Sequence, residues 1–220
     1  MPEKIIQNPL IDEVEEVVWS SLVRTISFDQ DEILKWIINL HNEGRGFELD
    51  ATYGSGGFYK DPSTPRPTYA YDLSPRWENI TKGDSRELPH EEESIHSIIF
   101  DPPFVMKNVA RKDAKLGLIE GRFSGLGNRE NLLSMYKDSL AEFWRILRWK
   151  GIVAFKCQDV VSGGKQHWIH HEVMKLGEEI GFYIKDLFIL CRKGVMWSPN
   201  MKNQQHARRH HCYFIVLKKE

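Results

Sequence analysis

Cysteine is scarce in this chain. Its 220 residues include three cysteines, Cys157, Cys191 and Cys212, and no two of them form a C-x-x-C pair. A disulfide framework needs more cysteines than this, and a structural zinc site needs clustered ligands. The histidines at 206–211 do not have a regular ligand spacing. We therefore expect free thiols, a reducing compartment such as the cytoplasm, and no metal site.

Long hydrophobic runs and two familiar nucleotide-binding patterns are also missing. No stretch approaches the ~18–20 apolar residues of a transmembrane helix, and no apolar segment follows Met1–Lys4 as a secretory signal would require. The chain contains neither G-x-G-x-x-G nor a complete phosphate loop. These absences argue against a membrane protein, a nicotinamide dehydrogenase and a P-loop nucleotidase.

The composition is that of a folded domain with an uneven distribution of charge. Hydrophobic residues make up 41% and charged residues 28%, and the formal net charge is −1. Residues 1–50 carry 4 basic and 11 acidic side chains, residues 105–150 carry 10 and 5, and residues 191–220 carry 7 and 1. The basic segments are consistent with a solvated surface, or with one face suited to a polyanion.

Short apolar runs alternate with amphipathic segments along the chain. The helical patterns cover 8–43, where Asp29 or Asp31 is the candidate N-cap, and then 131–148 and 167–180. The predicted strands cover 46–50, 68–72, 94–100, 151–155, 182–191 and 212–218. Such alternation predicts an α/β fold with a mainly parallel sheet covered on both faces. We divide the chain into an N-terminal helical segment, 1–43, packed on a core domain, 44–220.

Two segments show no clear period. Residues 105–130 hold four glycines and six basic side chains, and residues 193–209 are rich in polar residues. Structureless segments of this length in a compact domain are commonly functional. We interpret both as loops that face the substrate.

A glycine-rich turn follows the strand at 46–50. It reads Asp50-Ala51-Thr52-Tyr53-Gly54-Ser55-Gly56-Gly57. Glycines let a ligand approach the backbone at the carboxyl end of a strand, and we expect a helix to follow whose N-terminus offers free N–H groups. A tight strand–helix turn also favours glycine, so this pattern alone is weak.

Two acidic residues follow the next strands. Asp72, with Leu73 after it, is placed to accept hydrogen bonds from the ribose hydroxyls of a nucleoside, or else to cap a turn. Asp84, with Ser85, is placed to accept from an adenine amino group, although this tripeptide with Gly83 also reads as an ordinary turn.

The most specific pattern is Asp101-Pro102-Pro103-Phe104, directly after an apolar strand. The prolines fix the backbone and remove two N–H donors, so carbonyl groups near the turn point outward as acceptors. Asp101 and one such carbonyl can each accept an N–H of a planar exocyclic amine, while Phe104 offers a face for base stacking. Holding both protons favours a pyramidal, nucleophilic nitrogen.

Together these residues resemble the S-adenosylmethionine-dependent amino-methyltransferases that modify exocyclic nitrogens of adenine or cytosine in DNA. The resemblance covers about 44–220 and rests on the turn at 50–57, Asp72, Asp84 and the tetrapeptide at 101–104. It implies a Rossmann-like class I methyltransferase fold with a seven-stranded, mainly parallel sheet and a C-terminal antiparallel hairpin. It also implies S-adenosyl-L-methionine as cofactor. The implied cofactor-binding residues are Asp50, Thr52, Tyr53, Gly54, Gly56, Gly57, Asp72, Leu73, Asp84, Ser85 and Asp101.

The resemblance implies methyl transfer to N6 of adenine or N4 of cytosine in DNA. The alternative is an RNA enzyme that acts on N2 of guanine or N6 of adenine in ribosomal or transfer RNA. More distant alternatives are a protein glutamine methyltransferase and a cofactor-binding subunit of a larger complex. No target-recognition domain of ordinary size is visible, so recognition falls to the two loops or to a partner subunit. The candidate nucleic-acid contacts are Lys107, Arg111, Lys112, Trp197, Arg208 and Arg209.

Overall fold

A computed structural model describes residues 22–104, 128–194 and 205–220. The strands are β1 (Ile26–Ser27), β2 (Leu49–Asp50), β3 (Tyr69–Asp72), β4 (Thr81–Lys82), β5 (Ile95–Phe100), β6 (Leu147–Cys157), β7 (Val160–Ser162), β8 (Lys165–His167), β9 (Tyr183–Cys191) and β10 (His211–Lys218). The helices are α1 (Gln30–His41), α2 (Arg129–Ile146) and α3 (Ile169–Ile180).

In the described residues, eight strands form one sheet in the order β1-β9-β10-β6-β5-β2-β3-β4. Strands β2 to β6 pair with one another in parallel, and β10 runs antiparallel to both β6 and β9. The mainly parallel sheet and the C-terminal antiparallel hairpin are confirmed. The seven expected strands are β2 to β6, β9 and β10, and β1 adds an eighth at the edge beside β9.

The N-terminal segment is less helical than predicted. Residues 1–21 lie outside the described part, and α1 begins only at Gln30. Asp29 is the N-cap, because its carboxylate accepts from the Asp31 N–H, and Asn42 ends the helix. The helical prediction is wrong at Ile26–Ser27, where the backbone instead pairs with the edge strand β9.

Two hydrophobic clusters cover the two faces of the sheet. On one face, α2 buries Tyr136, Leu140 and Phe143 against Phe100 and Phe155, and α3 adds its own buried residues to the same cluster. On the other face, α1 buries one stripe against β-strand residues. That stripe comprises Ile33, Leu34, Ile37 and Ile38. The helical segment before the first core strand therefore packs on the same sheet as the rest of the chain.

The helix expected after the glycine-rich turn is absent. Residues 51–68 are all described, and they form turns, bends and irregular backbone up to β3. Pro62, Pro65 and Pro67 fall within six residues of one another, and each removes an N–H donor that a helix would use. The expectation of free N–H groups at a helix N-terminus is therefore wrong for this turn.

The antiparallel hairpin of β7 and β8 was also not predicted. Its turn is Gly163-Gly164, and both glycines have positive φ. Within the described ranges, no helix is long and apolar enough to cross a membrane.

Strand direction brings the candidate residues to one edge of the sheet. Asp50 and Asp72 end β2 and β3, and Asp101 follows β5, all at the carboxyl edge. Because β10 is antiparallel to β6, its first residue, His211, lies at this same edge.

Candidate functional site

The glycine-rich turn folds back on itself after β2. Gly54 and Gly56 have φ of 60° and 72°, in the left-handed region that favours glycine. The Tyr53 ring is buried under the turn and stacks on Tyr59, with 5.3 Å between ring centroids. A Cβ at Gly57 would meet nothing within 4 Å, so the outer side of the turn is open to a ligand.

Asp50 is fully buried beneath this turn. Its Oδ1 accepts from the Thr52 N–H at 2.9 Å, and its Oδ2 accepts from the Tyr59 hydroxyl at 3.0 Å. Burial raises the pKa of Asp50 to about 7, even though both hydrogen bonds favour the carboxylate. Asp50 therefore holds the turn together from inside.

Asp72 joins the turn to β3. Its Oδ2 accepts from the Gly54 N–H at 2.9 Å, and its Oδ1 accepts from the Ser74 N–H at 2.8 Å. Leu73, the next residue, is exposed at the edge. These two bonds fix the Asp72 carboxylate beside the glycine-rich turn, at the carboxyl end of β3.

Asp84 and Ser85 are both occupied by protein partners. The Asp84 carboxylate accepts from the Arg86 guanidinium at 2.5 and 2.9 Å, and these bonds lower the pKa of Asp84. The Ser85 hydroxyl is buried 2.8 Å from the Ser139 hydroxyl of α2. Asp84 thus remains at the surface, whereas Ser85 faces the core.

The tetrapeptide at 101–104 is held from both sides. The Asp101 N–H donates to Thr52 Oγ1 at 2.7 Å, which joins the tetrapeptide to the glycine-rich turn. The buried Tyr136 hydroxyl of α2 donates to the Pro103 carbonyl at 2.7 Å. Pro102 is buried, and Phe104 is partly exposed.

The two oxygens of Asp101 have different surroundings. Oδ2 lies 3.1 Å from Lys156 Nζ. Oδ1 is inaccessible to solvent and has no hydrogen-bond partner among the described residues. Burial raises the pKa of Asp101, while the charge of Lys156 and its hydrogen bond lower it. Asp101 therefore has one oxygen in an ion pair and one buried oxygen without a hydrogen-bond partner in the described residues.

Lys156 is the functional candidate that sequence reasoning missed. Its Nζ also donates to Gln30 Oε1 at 3.1 Å and lies 5.1 Å and 5.6 Å from the ring centroids of Phe58 and Phe214. Gln30 in turn donates to the Gly57 carbonyl at 3.1 Å. The one sequence cue is a lysine directly after the apolar run GIVAF, where a buried strand rarely carries a charge without a partner.

The predicted nucleic-acid contacts fall into two groups. Arg208 and Arg209 lie just before β10, at the same edge as Asp101. The other predicted contacts lie outside the described residues. They are Lys107, Arg111, Lys112 and Trp197. No group of three or more metal-ligating side chains occurs in the described ranges.

Comparison with solved structures identifies the fold. The sheet order, the hairpin and the turn at the first core strand make this a Rossmann-like class I methyltransferase fold. No family model matches the chain, and no curated protein matches its sequence.

Two solved structures show the likeness. One is 1,6-didemethyltoxoflavin-N1-methyltransferase from Burkholderia thailandensis, solved with S-adenosylhomocysteine. The match has 15% sequence identity and a TM-score of 0.52, and it covers 96% of this chain and 85% of that protein. The other is TrmN from Thermus thermophilus. This match has 20% sequence identity and a TM-score of 0.50, and it covers 86% of this chain and 49% of TrmN.

A third match is the cytosine-N4-specific PvuII DNA methyltransferase. It is 18% identical, covers 63% of this chain and 48% of its own, and has a TM-score of 0.47. The chain thus spans about half the length of several of the solved structures that it matches.

Proposed function

We propose that this protein transfers a methyl group from S-adenosyl-L-methionine to an exocyclic amine of a nucleobase, at N6 of adenine or N4 of cytosine in DNA. The observation that carries the proposal is the Asp101 carboxylate. One of its oxygens has no partner in the described residues, and its backbone is tied to the glycine-rich turn through Thr52. An amine acceptor and a nucleoside-binding turn thus lie side by side.

The residues present fit the cofactor. The open side of the turn at Gly57 admits a ligand, and the Asp72 carboxylate lies beside that turn at the end of β3, where a ribose would be bound. The Asp84 carboxylate is paired with Arg86, and the remaining lone pairs of its oxygens can accept a hydrogen bond from the adenine amine. The acidic side chains at this edge are suited to the positive charges of the cofactor. S-adenosyl-L-methionine, when bound, supplies an electrophilic methyl group on a sulfonium sulfur.

The tetrapeptide orients the amine for attack. Asp101 accepts one N–H, and a proline carbonyl of the turn accepts the other, so the nitrogen lone pair is directed away from the ring. With S-adenosyl-L-methionine on the turn, the methyl group would pass from its sulfur to the oriented nitrogen, and the nitrogen would release its surplus proton to solvent. Phe104 stacks on the target base, which in a duplex must first leave the helix stack. Orientation supplies most of the acceleration.

The residues of α2 and β6 support this geometry. The Tyr136 hydroxyl fixes the Pro103 carbonyl, and Lys156 favours the ionised form of Asp101. We assign residues 44–220 with α1 to the catalytic domain. Target recognition falls to the segments around 105–130 and 193–209, or to a partner subunit.

The test is methyl transfer from labelled S-adenosyl-L-methionine to duplex DNA, single-stranded DNA, ribosomal RNA and transfer RNA in parallel. The products are digested and the methylated nucleoside is identified by mass. We expect N6-methyladenine or N4-methylcytosine in DNA. Methylated guanine or adenine in RNA alone would assign the same site to RNA. Absence of transfer to every nucleic acid, with cofactor bound, would contradict the proposal.

A further inference from the structure

A second feature of the carboxyl edge is a compact surface built from two distant segments. The hairpin β7–β8 contacts residues 205–211, a segment that leads into β10. His206 Nε2 donates to the Gly164 carbonyl at 2.9 Å, and the Arg209 guanidinium donates to the Gln166 side chain. We call residues 160–168 together with 205–211 the hairpin surface.

A buried hydrogen-bond network anchors the hairpin surface. The Asp159 side chain is fully buried and accepts from His170 Nδ1 at 2.7 Å and from the Tyr213 hydroxyl at 3.3 Å. The rings of His170 and Tyr213 stack with centroids 4.3 Å apart. His211 Nε2 lies 2.9 Å from the same hydroxyl. The start of α3 and the start of β10 are therefore fixed to one buried carboxylate.

The hairpin surface presents an exposed aromatic ring beside a cation. The Trp168 side chain is 53% exposed, and the Arg209 guanidinium carbon lies 5.2 Å from its ring centroid. Within the described residues, Arg209 donates to the Ala207 carbonyl and to Gln166, out of the five N–H groups of a guanidinium. An exposed ring with a cation over it combines the two elements that bind a single nucleic-acid strand, base stacking and phosphate pairing.

The charge of these segments is entirely of one sign. The hairpin surface, residues 160–168 and 205–211, contains no acidic residue. Its basic residues are Lys165, Arg208 and Arg209. A surface of this composition favours a polyanion.

Strand order places the hairpin surface on the other side of Asp101 from the glycine-rich turn. The sheet runs β10-β6-β5-β2-β3, with the turn at β2, Asp101 after β5, and the hairpin surface beyond β6 and β10. A ligand on the turn and a strand on the hairpin surface would therefore approach Asp101 from opposite sides.

We propose that the hairpin surface binds the unpaired DNA strand that presents the target base to Asp101. Trp168 stacks on a base next to the target, and Arg209 and Lys165 contact phosphates. This inference rests on the proposed function and adds a binding site outside the cofactor and catalytic residues.

The test is fluorescence anisotropy with a labelled single-stranded oligodeoxynucleotide over a series of salt concentrations, without cofactor. We expect Trp168→Ala to weaken binding about tenfold and Trp168→Phe to restore most of it. Arg209→Ala should weaken binding to all sequences alike and reduce the salt slope by about 1. Thermal unfolding of each variant verifies that it folds.

A matched control exists at the opposite edge of the sheet. Tyr183 is 50% exposed, and Lys185 Nζ lies 5.8 Å from its ring centroid, so this pair copies the chemistry of Trp168 and Arg209. Tyr183→Ala and Lys185→Ala should bind DNA as the wild type does. Wild-type affinity in the Trp168 and Arg209 variants would overturn the hairpin surface alone. A wild type that neither binds nor methylates nucleic acid would overturn the proposed function.

Discussion

At the residue scale, the candidate site depends on the ionisation of Asp101, whose side chain is partly buried. Burial raises its pKa, and the only described side chain that opposes this rise is Lys156, 3.1 Å away. The carboxylate form of Asp101 accepts a hydrogen bond from an amine N–H more strongly than the protonated acid does. Lys156 is therefore a positioning residue for Asp101.

We predict that Lys156→Met moves the acid limb of the pH–rate profile to higher pH. Removing the cation takes away the interaction that lowers the pKa of Asp101, so the acid is protonated over a wider range. Methyl-transfer rates measured across pH should fall most at low pH, with cofactor affinity largely retained. Lys156→Arg should restore the profile. An acid limb at the wild-type position in Lys156→Met would contradict this role.

The functional residues differ in how well the sequence predicts them. Asp101 and Asp72 were predicted because each follows an apolar run, and the structure places both at the carboxyl edge. Lys156 was missed because a single lysine at the end of a buried strand has no recurring pattern. Tyr136 lies within the helix predicted over 131–148, but nothing in the periodicity indicates that its hydroxyl reaches Pro103.

At the element scale, hydrophobic periodicity predicted every helix and strand of substantial length. The helix expected over 131–148 is α2, which ends at Ile146, because Leu147 already pairs with Ile95 of β5. The elements that escaped prediction, β1, β7 and β8, have only two or three residues, which is too short to display a period. The helix expected after the glycine-rich turn is absent from the structure because the prolines that follow this turn disfavour a helix.

Substitution by alanine should lower the stability of the protein at Gly151 and leave it almost unchanged at Gly57. A Cβ at Gly151 in β6 would lie 2.8 Å from the Arg148 carbonyl oxygen and 2.9 Å from that of His96. Backbone atoms cannot move aside easily, so Gly151→Ala should lower the free energy of unfolding by about 1–3 kcal/mol. Urea unfolding followed by circular dichroism measures the change.

Gly57→Ala is the matched control, because its Cβ meets nothing within 4 Å and its φ is not in the left-handed region. It should alter the free energy of unfolding by less than about 0.5 kcal/mol. It should still weaken cofactor binding in calorimetry, since the added methyl group occupies the open side of the turn. Equal stability losses in the two variants would contradict the packing described for β6.

At the scale of the whole molecule, the sheet places Asp50, Asp72 and Asp101 at one edge. Because these carboxyl groups lie close together and Asp50 is buried, the free energy of unfolding should depend on pH. Burial raises the pKa of Asp50 from its ordinary 3.8 to about 7, and the charges of Asp101 and Asp72 add to the rise. Between these two values the folded state holds a proton that the unfolded state does not. The free energy of unfolding from this group therefore decreases as pH rises from about 4 to about 7.

We predict that Asp50→Asn removes this part of the pH dependence. The amide keeps an acceptor for the Thr52 N–H and a polar group for Tyr59, but it carries no ionisable proton. Urea unfolding from pH 5 to pH 8 should show the wild type losing stability relative to the variant as the pH rises. Parallel curves for the two proteins would contradict a raised pKa of Asp50.

The overall architecture was predictable because alternating strands and helices leave few ways to cover a parallel sheet. The resemblance supplied the expected hairpin and cofactor turn. The hairpin surface could not be predicted, because it joins residues 160–168 and 205–211 through tertiary contacts alone. Trp168 has no neighbour in sequence that indicates an exposed ring beneath an arginine.

The central claim is that Asp101 holds the amine that receives the methyl group. The most direct measurement compares methyl transfer by the wild type and Asp101→Ala on the same DNA, with cofactor affinity measured on both proteins by calorimetry. The account predicts that Asp101→Ala loses transfer by at least about a hundredfold while it still binds S-adenosyl-L-methionine. Turnover near the wild-type level in Asp101→Ala would contradict it.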